Sequence, residues 1–581
     1  MYKKRITNLS IVFACLGLLL FCGICLRMII QRETISEKTF VQQSELEKIR
    51  TIADQGLISR DEQGEIHIDY PAIEQEHGRK IASFIRKREQ YLSWPAKGKL
   101  VIDLNAVKVT SRQSVSKGAL ARRGRILDRR GRTLAETVRR ENGQWRRLYP
   151  YGAAALPVIG AVHPLFGERN LEKQLAPWLI GKKSSGGVAA LYRFLSGRDK
   201  IGDVHLTLDG EVQKAAYQSL GDQTGAIVVV DVRTGAIIAA ASTPSFDPGT
   251  GNDADWKEAA RQGYRSPFVN RGLKRRYPPG STFKIITATA VIDKKGFNPK
   301  KAVLRCRGVH PKYGIHDYGN KRHGWVNLRD AFKLSCNVYF GEAGVRLGPD
   351  LLQKAELFGF NHAWKLFAPG KKPETVPSLA FAGKKSVQGG GRWQPADFKH
   401  NPKLVAQGGI GQNVITATPL QMALAGAAIA NRGSLMQPFL VNRITFASGN
   451  KDGEEGLVDW YHTRPQEYAR VCRKKSADAI LDMMKLVMYR GTGYRLPKLY
   501  RVHGKYKLFA VARKNEKNLL AGKTGTAETG TSRGDHSWFV AVAPVDNPRY
   551  AVAALVEYGG LGAKKAGRAA VKTMLAALNS E

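Results

Sequence analysis

The sequence predicts an α+β domain on a smaller N-terminal module, held to a membrane by one helix. Three observations carry this. Strand-like runs stand at both ends of residues 201–581 with helical runs between them, so one sheet should unite the two ends of that segment. Leu9 to Leu26 is an uncharged apolar run, close to the ~20 residues that a spanning helix needs. Residues 31–200 carry short strand-like pieces but no acid–base or nucleophile set.

In chain order, residues 1–8 form a short tail. Lys3, Lys4 and Arg5 keep it cytoplasmic by the positive-inside rule, which sends the rest of the chain outside. Apolar residues continue through Met28, Ile29 and Ile30 and no Ala-x-Ala-like site follows, so residues 9–30 read as an uncleaved anchor rather than a signal peptide. No second span is evident, which makes this a single-pass protein with nearly all its mass outside the cytoplasm. Residues 31–56 read as a polar helix leading into a pedestal or partner-binding module, 31–200, with strands expected at Ile66–Ile68 and Lys99–Ile102. The arginine-dense run from Arg122 to Arg132, followed by Arg139, Arg140, Arg146 and Arg147, reads as a solvated or lipid-facing surface. From Val204 the composition changes. Gly225–Asp231 and Ala236–Ala241 form a hairpin across Arg233-Thr234-Gly235, and Ser537–Val542 and Arg549–Val556 form another across Val545–Pro548. Residues 562–578 close the domain as a helix.

Lys+Arg 92 against Asp+Glu 49 gives a net charge of +43, which points to an anionic neighbour. No zinc finger or RNP-type aromatic motif accompanies the charge, so nucleic acid is not indicated; a membrane surface or cell wall fits better. Cys15, Cys22 and Cys25 lie within the anchor, and Cys306, Cys336 and Cys472 do not make a disulfide framework.

The chemistry centres on Tyr277-Pro278-Pro279-Gly280-Ser281-Thr282-Phe283-Lys284. Pro-Pro-Gly marks a rigid turn, and the apolar run behind it reads as a buried helix beginning near Ser281. A serine there faces free backbone N–H groups and the positive end of the helix dipole, with Lys284 one turn on as a base. Ser-x-x-Lys also occurs at Ser114/Lys117 and Ser448/Lys451, where no apolar helix begins. For any isolated match, a helix cap beside a solvated lysine is the ordinary reading. Two further pieces follow in order: Ser335-Cys336-Asn337, and Lys523-Thr524-Gly525 with Thr526. In an extended segment Ser335 and Asn337 would point the same way. Gly525 would leave room for a peptide against the strand edge, and Thr524 and Thr526 offer hydroxyls to a carboxylate.

This three-part set resembles the Ser-x-x-Lys, Ser-Asp-Asn and Lys-Thr-Gly signature of class A β-lactamases and penicillin-binding proteins, with Cys336 at the middle position of the second motif, and the chain resembles a class B penicillin-binding protein, a peptidoglycan D,D-transpeptidase. The likeness spans 201–581 and includes Ser242–Pro248, Gly411–Met422 and Gly491-Thr492-Gly493; Arg123–Arg129 resembles the opening of the family's pedestal. The resemblance implies the penicillin-binding transpeptidase fold, with a five-stranded antiparallel sheet and flanking helices. It implies that Ser281 attacks the penultimate D-Ala of a stem peptide, that Lys284 takes the proton, that Ser335 relays it, and that Asn337 holds the substrate amide. Lys523, Thr524 and Thr526 would take the carboxylate, and the backbone N–H groups of Ser281 and Thr526 would form the oxyanion hole. Repulsion from Lys523 would lower the pKa of Lys284. Penicillins and other β-lactams should acylate the same serine. No cofactor is needed for acyl transfer.

Cys306, His310, His316, Asp317, His323 and Cys336 crowd sulfur, imidazole and carboxylate into a short span that suits a structural zinc ion. The family's elongation branch implies a metal site here, with Asp317, His323 and Cys336 in fitting positions and Cys306 in place of a further acid. Buried free thiols, a Cys306–Cys336 disulfide and solvated histidines are the competing readings. No glycosyltransferase motif precedes residue 200, so a separate membrane glycosyltransferase is the expected partner. The alternatives are a membrane-tethered β-lactamase, or a β-lactam sensor or scaffold without catalysis. Against them stand the 188 residues between Ser335 and Lys523, far from compact, and a tail too short for an effector.

Overall fold

The computed structural model describes residues 123–163, 166–180, 201–250, 253–261, 266–294, 303–364, 366, 401–413, 415–449, 455–496 and 520–580, with short stretches before 103. The anchor expected at 9–30 lies outside these, as does nearly all of the polar helix at 31–56. Among the described residues no helix is long and apolar enough to cross a membrane. The chain divides into two compact units, the first ending at Gln113. In that first unit Ile58–Arg60 pairs with Ile66–Ile68, Leu92–Ser93 pairs with Val101–Ile102, and Tyr70–His77 is helical. The strand expected at Ile66–Ile68 is present, and Val101–Ile102 is the described part of the one expected at Lys99–Ile102.

The second unit holds two larger sheets. One runs in the order Glu455–His462, Val441–Gly449, Gly202–Leu206, Ile126–Leu127, Thr133–Arg139, Trp145–Leu148, and so draws strands from both sides of residue 201. Under it sits part of the arginine run. Arg123 Nε meets Glu172 Oε2 at 2.6 Å, Arg147 Nε meets Glu172 Oε1 at 2.8 Å, and Arg123 Nη1 reaches Glu168 Oε1 at 2.6 Å. The Arg123, Glu172 and Arg147 side chains are buried, so the expectation of a solvated or lipid-facing surface fails for these two arginines. Each guanidinium has found a carboxylate some 25 or more residues away in sequence, and a buried charge is tolerable only in that state. Arg139 and Arg140 do remain exposed.

The other sheet carries the chemistry. Its strands are β1 (Gly225–Asp231), β2 (Ile237–Thr243), β3 (Ala521–Ala527), β4 (His536–Ala543) and β5 (Tyr550–Val556). They lie in the order β2-β1-β5-β4-β3, every pair antiparallel, as the family resemblance implied. Every residue of β4 and β5 is buried, which demands cover on both faces. Helices α1 (Gly210–Leu220) and α7 (Ala566–Asn579) touch each other and cover one face. The other is covered by α5 (Pro419–Ala430), all of whose residues are buried. Between the sequence halves of the sheet come α2 (Lys284–Asp293), α3 (Leu328–Leu334), α4 (Asn337–Leu347) and α6 (Lys474–Arg490). Strand β3 is an edge strand, and the chain around Ser281 packs against it.

The ion cluster yields the first prediction. Replacing Glu172 by Gln strips the charge that compensates two buried guanidiniums and should destabilise the protein by about 3–5 kcal/mol, read from the shift in the denaturation midpoint. A loss below about 1 kcal/mol would refute this account of the cluster.

Candidate active site

Ser281 lies in a 3₁₀ turn, Gly280–Phe283, that runs directly into α2. The turn is held from two sides. Tyr277 and Ala417 exchange backbone hydrogen bonds of 2.9 and 2.8 Å, and the Gly280 amide donates to Gly411 O at 2.9 Å. On the other side Gly280, at φ 51°, rests on β3, where an added Cβ would lie 2.6 Å from Thr526 O. Only glycine fits that position.

Lys284 is wholly buried, and its Nζ donates to Ser335 O (2.7 Å) and Asn337 Oδ1 (2.6 Å), with Ser335 Oγ at 3.4 Å. Lys523, also buried, reaches from β3 and donates to Ser335 Oγ at 2.9 Å and to Thr524 O at 3.0 Å. The hydroxyl of Ser335 therefore stands between two amines drawn from opposite ends of the domain. Ser335 and Asn337 are not in an extended segment, as the sequence had suggested. Ser335 closes α3 in the left-handed conformation (φ 61°, ψ 37°), and Cys336 caps α4, which begins at Asn337. This helix–helix junction, not strand alternation, turns both side chains into one site. Among the described residues the Ser281 hydroxyl has no hydrogen-bond partner; it lines the same cleft of about 790 Å³ as Ser335, Asn337, Thr524 and Thr526.

Burial pushes Lys284 down to about 8, while Asp317 and Cys336 pull it back towards its ordinary value. Lys523 is pushed well below the lysine range by burial first and by the Lys284 charge second. Two buried ammoniums this close repel each other, so both lysines are held below their ordinary value and titrate as a pair.

Gly525 differs from its expected part. A Cβ there would lie 2.9 Å from Thr282 Cγ2, 3.0 Å from Trp538 Cβ and 3.1 Å from Pro279 O, so the missing side chain makes room for the Ser281 turn itself. Thr492 was not singled out from the sequence as a site residue, although its Gly-Thr-Gly setting stood out. Its Oγ1 lies 2.5 Å from Thr524 Oγ1 at the wall of the cleft.

The expected metal set converges as well. Cys306 Sγ, Asp317 Oδ2, His323 Nδ1 and a Cys336 sulfur offer ligand atoms within 4.8 Å of one another. Asp317 Oδ2 is the hub, at 2.9 Å from Cys306 Sγ, 3.3 Å from Cys336 Sγ and 3.3 Å from His323 Nδ1. Its other oxygen accepts from the Asn337 amide. Both cysteines are free, so the disulfide reading does not hold. His310 pairs with Glu342 instead, and His316 contributes only its carbonyl, to Asn337 Nδ2 at 2.9 Å.

The contact between turn and strand can be tested. Gly280→Ala should slow acylation of Ser281 by a β-lactam about 100-fold, because backbone on β3 cannot yield to the new methyl. Gly530→Ala, at a similarly positive φ but in open space, serves as the control. Equal rates for the two variants would contradict the account.

Comparison with known proteins places this geometry. Residues 225–578 match the penicillin binding protein transpeptidase domain, and residues 123–204 match the penicillin binding protein A dimerisation domain. Peptidoglycan D,D-transpeptidase PbpA of Mycolicibacterium smegmatis is 30% identical over 463 residues, 74% of this chain and 83% of that protein. Peptidoglycan D,D-transpeptidase MrdA of Escherichia coli is 26% identical over 476 residues, 72% and 69% of the two chains. Among solved structures, the ceftriaxone acyl-enzyme of penicillin-binding protein A from M. tuberculosis superposes with a TM-score of 0.64 at 27% identity, covering 79% of this chain and 99% of that one. The transpeptidase match alone spans more than half of the sequence, and this chain belongs to the penicillin-binding protein transpeptidase family.

Proposed function

We propose that the protein cross-links peptidoglycan stem peptides as a serine D,D-transpeptidase through an acyl-enzyme on Ser281. The observation that carries this reading is the meeting of Lys284, Lys523 and Ser335 within hydrogen-bond distance beside Ser281. Ser281 Oγ attacks the carbonyl of the penultimate D-Ala while neutral Lys284 takes its proton. The terminal D-Ala leaves as an amine, protonated through Ser335 Oγ, which both lysines approach. Backbone N–H groups of Ser281 and Thr526 would stabilise the oxyanion. The substrate carboxylate docks on Thr524 and Thr526 and restores to Lys523 the counter-charge that burial denies it. An acceptor amine then attacks the ester, forms the cross-link and frees the serine. Asn337 has one amide hydrogen left for the substrate, since Oδ1 accepts from Lys284 and Nδ2 already donates to His316 O.

We place the chain in the bacterial inner membrane through residues 9–30, with 31–200 as pedestal and 201–581 as the catalytic domain outside the cytoplasm. A separate membrane glycosyltransferase would supply the glycan strands. A zinc ion fits the donor set: two sulfurs, one imidazole and one carboxylate lie at separations of 2.9–3.6 Å along Asp317 and His323, near those between the ligands of a tetrahedral zinc. Cys306, Asp317, His323 and Cys336 would hold it, the cysteines as thiolates. Its part is structural, bracing through Asp317 the amide of Asn337. The set favours the elongation branch of the family.

Three results are expected. Fluorescent penicillin labels the wild-type protein and not Ser281→Ala; equal labelling would end the assignment. The acylation rate rises with pH up to about 8 and levels off above, because the base works only after it has lost its proton. A rate unchanged from pH 6 to 9 would remove Lys284 as that base. About one equivalent of zinc should accompany the purified protein and be lost in Cys336→Ser, with a lower melting temperature. No metal in either protein would dismiss the zinc.

A further inference from the structure

The cleft has a cationic side that the acyl-transfer steps do not use. Beside Ser281 its lining includes Lys321, Arg490, Arg495, Lys564 and Arg568, against the acids Asp317, Glu528 and Asp535. Asp317 is already taken up by Cys306, Cys336, His323 and the Asn337 amide. Two segments bring four of these basic residues together. The first, the end of α6 and the turn that follows it, carries Arg490 and Arg495 and is tied to β3 by the 2.5 Å contact of Thr492 with Thr524. The second, the entry to α7 and its first turn, carries Lys564 and Arg568. It also rests on β3: a Cβ at Gly562 would lie 2.4 Å from Gly525 O. The two segments touch, since a Cβ at Gly567 would lie 2.8 Å from Leu496 Cδ1. Arg495 and Arg568, the sequence neighbours of those two residues, are therefore drawn to one stretch of rim beside the strand that carries Thr524 and Thr526.

Three of these side chains, Arg490, Arg495 and Lys564, have no acid within salt-bridge distance among the described residues. Arg490 lies over the Tyr489 ring at 5.2 Å, and Arg495 lies over the Tyr494 ring at 5.6 Å while its Nε donates to Tyr494 Oη at 3.0 Å. Stacking of this kind orders a guanidinium without neutralising it. Unpaired, ordered cations along a cleft select an anionic ligand and speed its approach.

We infer that this rim reads free carboxylates on the donor peptide upstream of its terminal D-Ala-D-Ala, so that the protein prefers acidic stem peptides over those whose side carboxylates are capped as amides. This rests on the transpeptidase reading above and adds a selectivity to it. The terminal carboxylate is left to Thr524, Thr526 and Lys523, and the rim serves the remainder of the peptide.

The test uses the full chain in detergent micelles and two synthetic donors ending in D-Ala-D-Ala, identical except that the upstream carboxylates of one are carboxamides. D-Ala release gives kcat/KM for each, in wild type and in the triple variant Arg490→Gln, Arg495→Gln, Lys564→Gln, with melting temperatures to verify folding. Wild type should prefer the acidic donor by about tenfold at low salt, the sum of several exposed ion pairs, and the preference should shrink at high salt. The triple variant should use both donors within about twofold. Equal use of both donors by the wild type, or a preference that survives in the triple variant, overturns the inference. Failure of the wild type to be labelled by penicillin would instead overturn the acyl-transfer reading on which it rests.

Discussion

One hydroxyl held between two buried amines organises the catalytic domain. Neither Lys284 nor Lys523 has a carboxylate within salt-bridge distance among the described residues, and each is closed over by an aromatic ring, Phe340 and Phe332 at 5.4 and 5.6 Å. An amine in that position keeps its proton only reluctantly. A lysine titrating at about 8 instead of 10.5 costs the folded protein about 3 kcal/mol below pH 8, a penalty relieved as the pH rises towards 10.5. Stability is given up at this point for an amine whose neutral, basic form is reached near pH 8 instead of 10.5. The loss can be borne because the surrounding apolar structure is extensive.

That surrounding structure explains how the parts meet. Strands β1 and β2 come from the start of the domain and β3 to β5 from its end, so closing the sheet carries Lys523 across to the helices formed between them. Helix α5, buried on every side, fixes the sheet from behind and lets the chain just before it, at Ala417, hold Tyr277 and so the Ser281 turn. The junction of α3 with α4 then delivers Ser335. Asp317 ties this junction to the neighbouring cysteines and His323, so the candidate metal set and the catalytic set share one backbone amide, that of Asn337.

Much of this could be read in the sequence where the signal was local. Pro-Pro-Gly before an apolar run announces the Ser281 turn, and the β-rich runs around Lys523 announce its sheet. The left-handed turn at Ser335 could not be read in this way. Ser335 and Cys336 join two helices too tightly to leave any periodicity of their own. The arginines at 123 and 147 looked like surface because their partners, Glu168 and Glu172, lie in a later segment that no local rule connects to them. The depressed Lys284 follows from burial in the assembled domain, and no neighbour in sequence reports that. Gly525 was legible as a place of close approach, but what approaches is the Ser281 turn.

The claim on which the rest turns is the state of the Lys284 amine, and it can be observed without substrate. With ¹³C-labelled lysine in the protein, an NMR titration should show one resonance with a midpoint near 8 that is absent from Lys284→Arg. If the resonance lost in that variant titrates near 10.5 instead, the buried neutral base does not exist and the mechanism built on it is wrong.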